Sequence, residues 1–413
     1  MSSPEHRVFR VGILSQTSDE AFMDLLKAVG VDPPGRERLL PKMRHFNILL
    51  QDVECRAANV IKQEMLALGG DAAVARGTVS CSIPSTDVIL MGTAKQILLF
   101  AGRIKRQPFG LTFLSAELEQ HLAHYHRTDF VLATGKRKIP LGDGTRVMGV
   151  VNVTPDSFSG GGREMMSTPE AIDLALAQEE AGADFIDIGG ESSRPGAEGV
   201  SASEELKRVL PVIDGLRGRL GVPVSIDTMK AEVAREAVAA GAEIVNDISA
   251  MTGDPGMAAV VSETGAAVIL MHMRGVPRTM QSGPIVYSNL MAEIIAYLSD
   301  RIDHARAQGI AMDRIMVDPG VGFGKTVQDN LVIVRRLAEL KILGAPILVG
   351  VSRKSFIGAV TGVEVAAERT EGTAAALTAS IMGGAHVVRV HDVAETTRVV
   401  VMTDAIMRGR FTA

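Results

Sequence analysis

The chain is 413 residues long, roughly two to three times a typical domain, so one large or two unequal folded units are expected. Hydrophobic residues make up 46% and charged residues 22%, a globular composition that excludes a disordered or fibrous chain. Forty-three Lys+Arg against 48 Asp+Glu give a formal charge of −5, which argues against a general nucleic-acid binder, and two cysteines cannot staple a chain this long.

Residues 1–140 read as a small α/β unit. Val8 to Leu14 is an apolar run that leads into an amphipathic stretch, Asp19 to Val29. Asp32 to Gly35 reads as a Pro/Gly-rich break, Ala57 to Leu68 as a second helix, and Asp87 to Met91 as a short strand. Glu119 to His126 ends the region. The basic, Gly-containing segment LATGKRKIPLGDGTR (132–146) is the expected junction with a unit over 141–413.

From Arg146 a strand-like run followed by an amphipathic helical run recurs. Strands are expected at 146–154, 184–190, 223–228, 243–249, 266–273, 315–322, 346–352 and 386–392. Continuous apolar runs such as Val268–Met271 suit strands buried on both faces of a parallel sheet, and abundant glycine with few aromatics (4%) suits close strand-to-helix packing. Thr168 with Pro169 marks a helix start, and Ser201 with Glu204 reads as a capping box. Leu206, Val209, Leu210, Ile213 and Leu216 follow at helical spacing, with Pro211 expected to kink the helix. Gly383–Gly384 is a stop for residues 373–382. Eight such pairs in about 270 residues is the count and length of a (β/α)₈ barrel, with an open doubly wound sheet as the competitor.

Polar residues fall at the C-terminal ends of these strands: Asn152, Glu191 with Ser192, Ser193 and Arg194, Asp227, Asn246 with Asp247, His272, Asp318, Ser352 with Arg353 and Lys354, and Arg389 with His391. Successive strand ends of a barrel converge on one face, and buried charge costs several kcal/mol unless paired or used, so a shared site is expected. Asp227, Asn246 and Asp318 suit a flat heterocycle with several N–H donors. Ser193, Arg194, Arg389 and His391 offer donors to phosphate-type oxygens, with arginine able to bind them in bidentate fashion. Lys354 leads into a helix whose backbone N–H groups suit an anion, and Asn152 could place an oxygen on Mg²⁺.

The segments MGVVNVTPDSFSGGG (148–162), IDIGGESSRPGA (186–197), SIDT (225–228), VNDIS (245–249), VDPGVGFGK (317–325), VGVSRKSFIG (349–358) and RVHDV (389–393) closely resemble, in order, the motifs of the dihydropteroate synthase family. The resemblance implies a (β/α)₈ barrel that joins p-aminobenzoate to 6-hydroxymethyl-7,8-dihydropterin diphosphate, releasing pyrophosphate, in folate synthesis. It implies Asp227, Asn246, Asp318 and Lys354 as pterin ligands, Asn152 as the Mg²⁺ ligand, and Ser193, Arg389 and His391 as diphosphate contacts. Phe158, Pro195, Phe323 and Ser355 match positions of the p-aminobenzoate pocket. It also implies a homodimer. Lys354, Arg389 and His391 are the residues expected to serve the chemistry, because a leaving diphosphate needs electrostatic stabilisation while Asp227 and Asp318 hold the ring. Two positions depart from the family pattern: Gly160 stands where the first loop usually has Asp, and Ser193 where the second usually has Thr.

Simpler readings apply elsewhere. GVGFGKT (320–326) lacks the Walker spacing, since position 319 is proline. His121, His124 and His126 read as a solvated helix end, Cys55 and Cys81 as isolated buried thiols, and His272 as core or supporting a ligand contact. Lys325 is either a surface charge or a residue that steers an anionic substrate. The N-terminal unit carries no catalytic constellation and reads as a structural or oligomerisation appendage. MSSPEHRVFR has no apolar segment of the signal-peptide kind, and no apolar stretch reaches the roughly 18 residues of a membrane span, so a soluble, cytoplasmic protein is expected. The alternatives to the synthase are a pterin-dependent methyltransferase, which has no use for a diphosphate site, and a non-catalytic pterin-binding protein.

Overall fold

The computed structural model describes residues 12–14, 18–154, 166–192, 194 and 196–409. The chain divides into two compact units between Ala123 and His124, earlier than the junction expected near residue 140.

The first unit is a three-stranded antiparallel sheet with helices. Strands β1 (His45–Glu54), β2 (Asp71–Ala73) and β3 (Ser85–Thr93) lie in the order β1-β3-β2. Along β3, Thr86, Val88 and Leu90 are buried while Asp87 and Ile89 are exposed, the two-residue alternation of a sheet with one covered face. Ile61, Met65, Ile97 and Phe100 fill the core beneath it. Asp32–Gly35 is a helix start rather than a break: the Asp32 side chain accepts from Gly35 N, and Pro33 opens the helix Pro33–Met43. Cys55 and Cys81 are not isolated buried thiols. Cys81 is exposed, and both sulfurs donate to the Thr78 carbonyl, at 3.0 and 3.6 Å.

The second unit is the barrel, and all eight expected strands form. They are β6 (Arg146–Asn152), β7 (Phe185–Gly189), β8 (Val224–Asp227), β9 (Ile244–Asp247), β10 (Ala267–Met271), β11 (Ile315–Asp318), β12 (Leu348–Val349) and β13 (Val387–Val390). Neighbouring strands pair in parallel from β6 to β11 and from β12 through β13 back to β6, and the parallel bridge Val317↔Ile347 completes the ring. Helices follow the strands with local caps. Ser167, one residue before the expected cap, accepts from Glu170 N in a reciprocal capping box. Ser201 accepts from Glu204 N at 3.2 Å, but the Glu204 carboxylate turns to Arg208, so only half of that box forms. The helix Ala202–Leu216 runs on through Pro211.

Side-chain alternation sorts the barrel interior into layers. Met148, Phe185, Ile244, Ile269, Met316, Leu348 and Val387 form an apolar floor. Two residues further along β7, β9, β11 and β13 come Asp187, Asn246, Asp318 and Arg389, which therefore point into the same interior one layer higher. The floor is plugged from below by a hairpin, β4 (Phe130–Ala133) and β5 (Lys138–Leu141), which contributes Phe130, Leu132 and Leu141. The segment expected as a junction is thus part of the barrel core. Leu132→Ala, at a position with no exposed surface, is expected to cost about 2–5 kcal/mol in denaturant unfolding; a loss below about 1 kcal/mol would show that the hairpin does not belong to that core.

Candidate active site

At the C-terminal mouth of the barrel a charged layer sits on the apolar floor. Arg389, projecting from β13, gives Nε to Asp187 Oδ2 at 2.6 Å and Nη2 to Asp227 Oδ2 at 2.8 Å. Asp187 Oδ2 also accepts from Asn246 Nδ2 at 3.0 Å. Strand register puts Asn152, Gly189, Asp227 and Asn246 side by side, and the bonds cross the interior between strands that are not neighbours, from β13 to β7 and β8 and from β7 to β9. Burial pushes the Asp227 carboxyl up to about 7 against the pull of Arg389, and the Asp187 charge adds to the rise. Burial disfavours the Arg389 charge as well, but Asp187 and Asp227 outweigh it and raise its pKa.

Asp318 ends β11. Its Oδ1 accepts from Gly320 N at 2.7 Å, and burial raises its pKa while Lys354, Lys325 and Arg389 oppose the rise. Lys354 follows β12 and reaches back across the mouth: its Nζ donates to Val321 O at 2.7 Å and lies 4.1 Å from the centre of the Phe323 ring. Burial lowers the ammonium to about 8, with Asp318 and Asp227 holding it up. The loop that receives it depends on glycine. Gly320 has φ +66°, and a Cβ there would stand 1.9 Å from the His272 carbonyl oxygen; at Gly322 (φ +86°) it would meet Lys354 Cδ at 2.9 Å.

His391 follows β13. Its backbone N–H and its Nδ1 both meet Ser352 Oγ, at 3.3 and 3.1 Å. The hydroxyl accepts from the backbone N–H, and its bond with Nδ1 runs in the direction set by the ring tautomer. Burial, then Arg389 and Arg353, lower the ring to about 3, so a neutral imidazole results. A cleft of about 140 Å³ opens between Glu191, Asp227, Met229, Ile248, Pro277 and Arg278. The Lys230 ammonium, 2.5 Å from both Glu191 Oε2 and Glu205 Oε2, ties one wall together.

The matching family model is that of the pterin binding enzymes, over residues 148–391. A dihydropteroate synthase of Synechocystis is 48% identical over 277 residues, which cover 67% of this chain and 95% of that protein. The chain belongs to the dihydropteroate synthases. A solved Xanthomonas albilineans dihydropteroate synthase with 4-aminobenzoic acid aligns with TM-score 0.62 and 43% identity, covering 67% of this chain and 98% of that one. A probable bifunctional folylpolyglutamate synthase/dihydropteroate synthase of Halobacterium salinarum is 39% identical over 387 residues. That match takes in 94% of this chain, and so reaches into the N-terminal unit, but only 46% of the relative; the chain spans less than half of that protein.

Asp227, Asn246, Asp318, Lys354, Arg389 and His391 thus meet around one mouth of the barrel. Phe323 is beneath Lys354, and the exposed Ser355 opens the short helix that Lys354 caps. Arg194 is half-buried in the loop after β7, where its carbonyl accepts from Ala197 N. Phe158, Gly160, Ser193 and Pro195 lie outside the described residues. Two expectations change. The bidentate fork of Arg389 is taken by carboxylates, which leaves Nη1 for an anion. Lys325 is not a surface charge: it is 2% exposed, and its Nζ donates to the His272 and Phe323 carbonyls at 3.2 and 3.1 Å. Asp247 is a turn anchor, accepting from Ser249 and Met251. Asp187 was not anticipated; its position two residues before Gly189 on an inward-facing register was the available signal. Because the sub-neutral value of His391 comes from burial and neighbouring arginines, its ring resonances should show no titration between pH 5 and 8 by NMR. A midpoint inside that interval would contradict the neutral imidazole.

Proposed function

We propose that the chain condenses 6-hydroxymethyl-7,8-dihydropterin diphosphate with p-aminobenzoate to 7,8-dihydropteroate and pyrophosphate. The observation that carries this reading is the acceptor-rich layer above the floor. Asn246 gives its N–H₂ to Asp187, Arg389 covers one oxygen of Asp227, and Gly320 covers one oxygen of Asp318. The acceptors left over, Asn246 Oδ1, Asp227 Oδ1 and Asp318 Oδ2, match a ring edge made of N–H donors. Relatives sharing up to 48% identity are synthases, which favours this over a methyltransferase.

In this reading Asp227, Asn246, Asp318 and Lys354 hold the pterin. Loss of the diphosphate breaks the bond from the pterin CH₂ to oxygen, and the electron pair departs with pyrophosphate. The positive charge that develops spreads into the ring, where the Asp227 and Asp318 carboxylates stabilise it. Arg389 Nη1 is the donor for the departing oxygens, and His391, Ser193 and Arg194 are proposed as further diphosphate contacts. The p-aminobenzoate nitrogen then bonds to the CH₂ carbon and gives up a proton to the released pyrophosphate or to water. Phe158, Pro195, Phe323 and Ser355 are proposed as its pocket, and the Lys354–Phe323 stack supports a flat, apolar wall there.

Asn152 fits a magnesium ligand. It is a hard oxygen donor at the end of β6 that makes no side-chain hydrogen bond among the described residues, and Gly189 keeps open the space beside it, since a Cβ there would stand 3.3 Å from Asn152 Oδ1. When bound, Mg²⁺ would neutralise diphosphate charge. A homodimer and a cytoplasmic location go with the same reading. The final helix, Val393–Arg408, leaves Val401, Met402, Ile406 and Met407 exposed, which supports an apolar interface, and no helix among the described residues is long and apolar enough to cross a membrane.

The purified protein should release pyrophosphate in a coupled assay only when both substrates are present; release with the pterin diphosphate alone, or none at all, would defeat the proposal. Asp227 faces Arg389, Asp187, Glu205 and Asp247, and its carboxyl at about 7 must be ionised to accept from ring N–H groups. Ionisation is gained as pH rises through that value. Binding of metal-free 6-hydroxymethylpterin should therefore tighten about five- to tenfold from pH 6 to 7.5 in calorimetry, and Asp227→Asn should bind weakly with a flat profile. Equal affinity across that range in the unaltered protein would remove Asp227 from the ring site.

A further inference from the structure

We infer that Asp187 sets the ring specificity of this site, by fixing from below which end of the Asn246 amide faces the ligand. The inference rests on the pterin reading of the charged layer at the barrel mouth and deepens it. Asp187 has no exposed surface. Its Oδ2 receives Asn246 Nδ2 at 3.0 Å and Arg389 Nε at 2.6 Å, while Oδ1 has no hydrogen-bond partner among the described residues. A carboxylate accepts and cannot donate, so an Asn246 amide turned by 180° would set its own Oδ1 against Asp187 Oδ2. That arrangement leaves Asn246 Oδ1 without a donor and against a carboxylate oxygen in a buried place, since Asn246 is only 4% exposed. The amide is therefore held with N–H₂ down and oxygen up. Arg389 is the lock on the other side: because its Nε already occupies Asp187, the carboxylate cannot rotate away from Asn246 without breaking a charged hydrogen bond.

The oxygen held upward selects the ring. A 2-amino-4-oxo pteridine offers an amino donor at position 2 and an N–H at position 3. A 2,4-dioxo pteridine of the same shape carries a carbonyl at position 2, which would meet the fixed acceptors with another acceptor. Rejection by unmatched polar groups is far stronger than rejection by size. Asp187 never touches the ring, so it is a positioning residue. Its effect differs from that of a ring contact, because removing its charge frees the amide to turn and should let the wrong ring in.

The test compares 6-hydroxymethylpterin with 6-hydroxymethyllumazine by calorimetry on the full chain. The unaltered protein should prefer the pterin by on the order of 100-fold or more. Asp187→Asn, which keeps shape and can donate or accept, should bring that preference below about tenfold, with lumazine affinity rising. Asp187→Glu, which restores the carboxylate, should recover part of the preference. A merely structural role would weaken both rings alike and leave the ratio intact, and that outcome overturns the inference. Unaltered protein that binds both rings equally also overturns it, while protein that binds neither ring defeats the pterin reading and this inference together. If Asp187→Asn does not fold, the Asn246 side-chain ¹⁵N–¹H₂ resonances of the unaltered protein decide. Exchange of both protons slowed before any ring is added supports the fixed amide, and rapid exchange contradicts it.

Discussion

Arg389 is the group on which the site depends. It is a guanidinium inside a barrel, and an isolated charge there would be expelled or neutralised. It persists because Asp187 and Asp227 take two of its nitrogens at hydrogen-bonding distance. The same bonds have three further results. They hold Asp227 beside Arg389 with one oxygen free, they leave Arg389 with Nη1 directed elsewhere, and through Asp187 they orient Asn246. Three strands that are separate in sequence, β7, β8 and β13, are thereby joined at one level.

The level itself follows from strand geometry. Side chains along each strand alternate between the helical layer and the interior, so interior positions recur every second residue. Val387 and Arg389 are successive interior residues, as are Phe185 and Asp187, Ile244 and Asn246, and Met316 and Asp318. In each pair the apolar member comes first, which makes the change from floor to charged layer occur at one height around the ring. The hairpin Phe130–Leu141 excludes water from below the floor, so the charged layer is open only toward the mouth. Low local polarity beneath and limited access above are what move the pKa values of Asp227 and Lys354 toward neutrality.

Much of this was legible in the sequence. Runs such as Val268–Met271 are too apolar for a strand with one wet face, and their regular recurrence gave the barrel. Residues at strand ends were legible as a shared site for the same reason. What failed was information that sequence order does not carry. Lys325 looks like a surface residue because lysine usually is, yet the turn through Gly320, Gly322 and Gly324 folds it beneath the mouth, where carbonyls of His272 and Phe323 receive it. Asp187 was hidden because it sits within the strand motif rather than at its end. Arg389 was recognised as an anion-binding residue, but its partners, 202 and 162 positions away, could not be read from neighbours. The hairpin was taken for a junction because Lys136, Arg137 and Lys138 make its turn basic, although Phe130, Leu132 and Leu141 alternate as a covered strand pair would.

The charge state of the layer bears on the chemistry as well as on stability. Asp227 and Lys325 both hold their protons near pH 7, and Lys354 near pH 8. A change of one pKa unit corresponds to about 1.4 kcal/mol, so these groups can gain or lose a proton near neutrality at small cost. A ring that arrives uncharged and becomes cationic as its diphosphate leaves gains its attraction to a nearby carboxylate charge only as its own charge develops. An interaction that strengthens only as the ring becomes cationic speeds the chemical step, whereas one made equally to both states does not. Asp227, ionised above about pH 7 and held beside Arg389 through one oxygen, supplies such an interaction with the other. The burial that makes this layer expensive to fold is therefore the same property that lets it favour the cationic state over the neutral one.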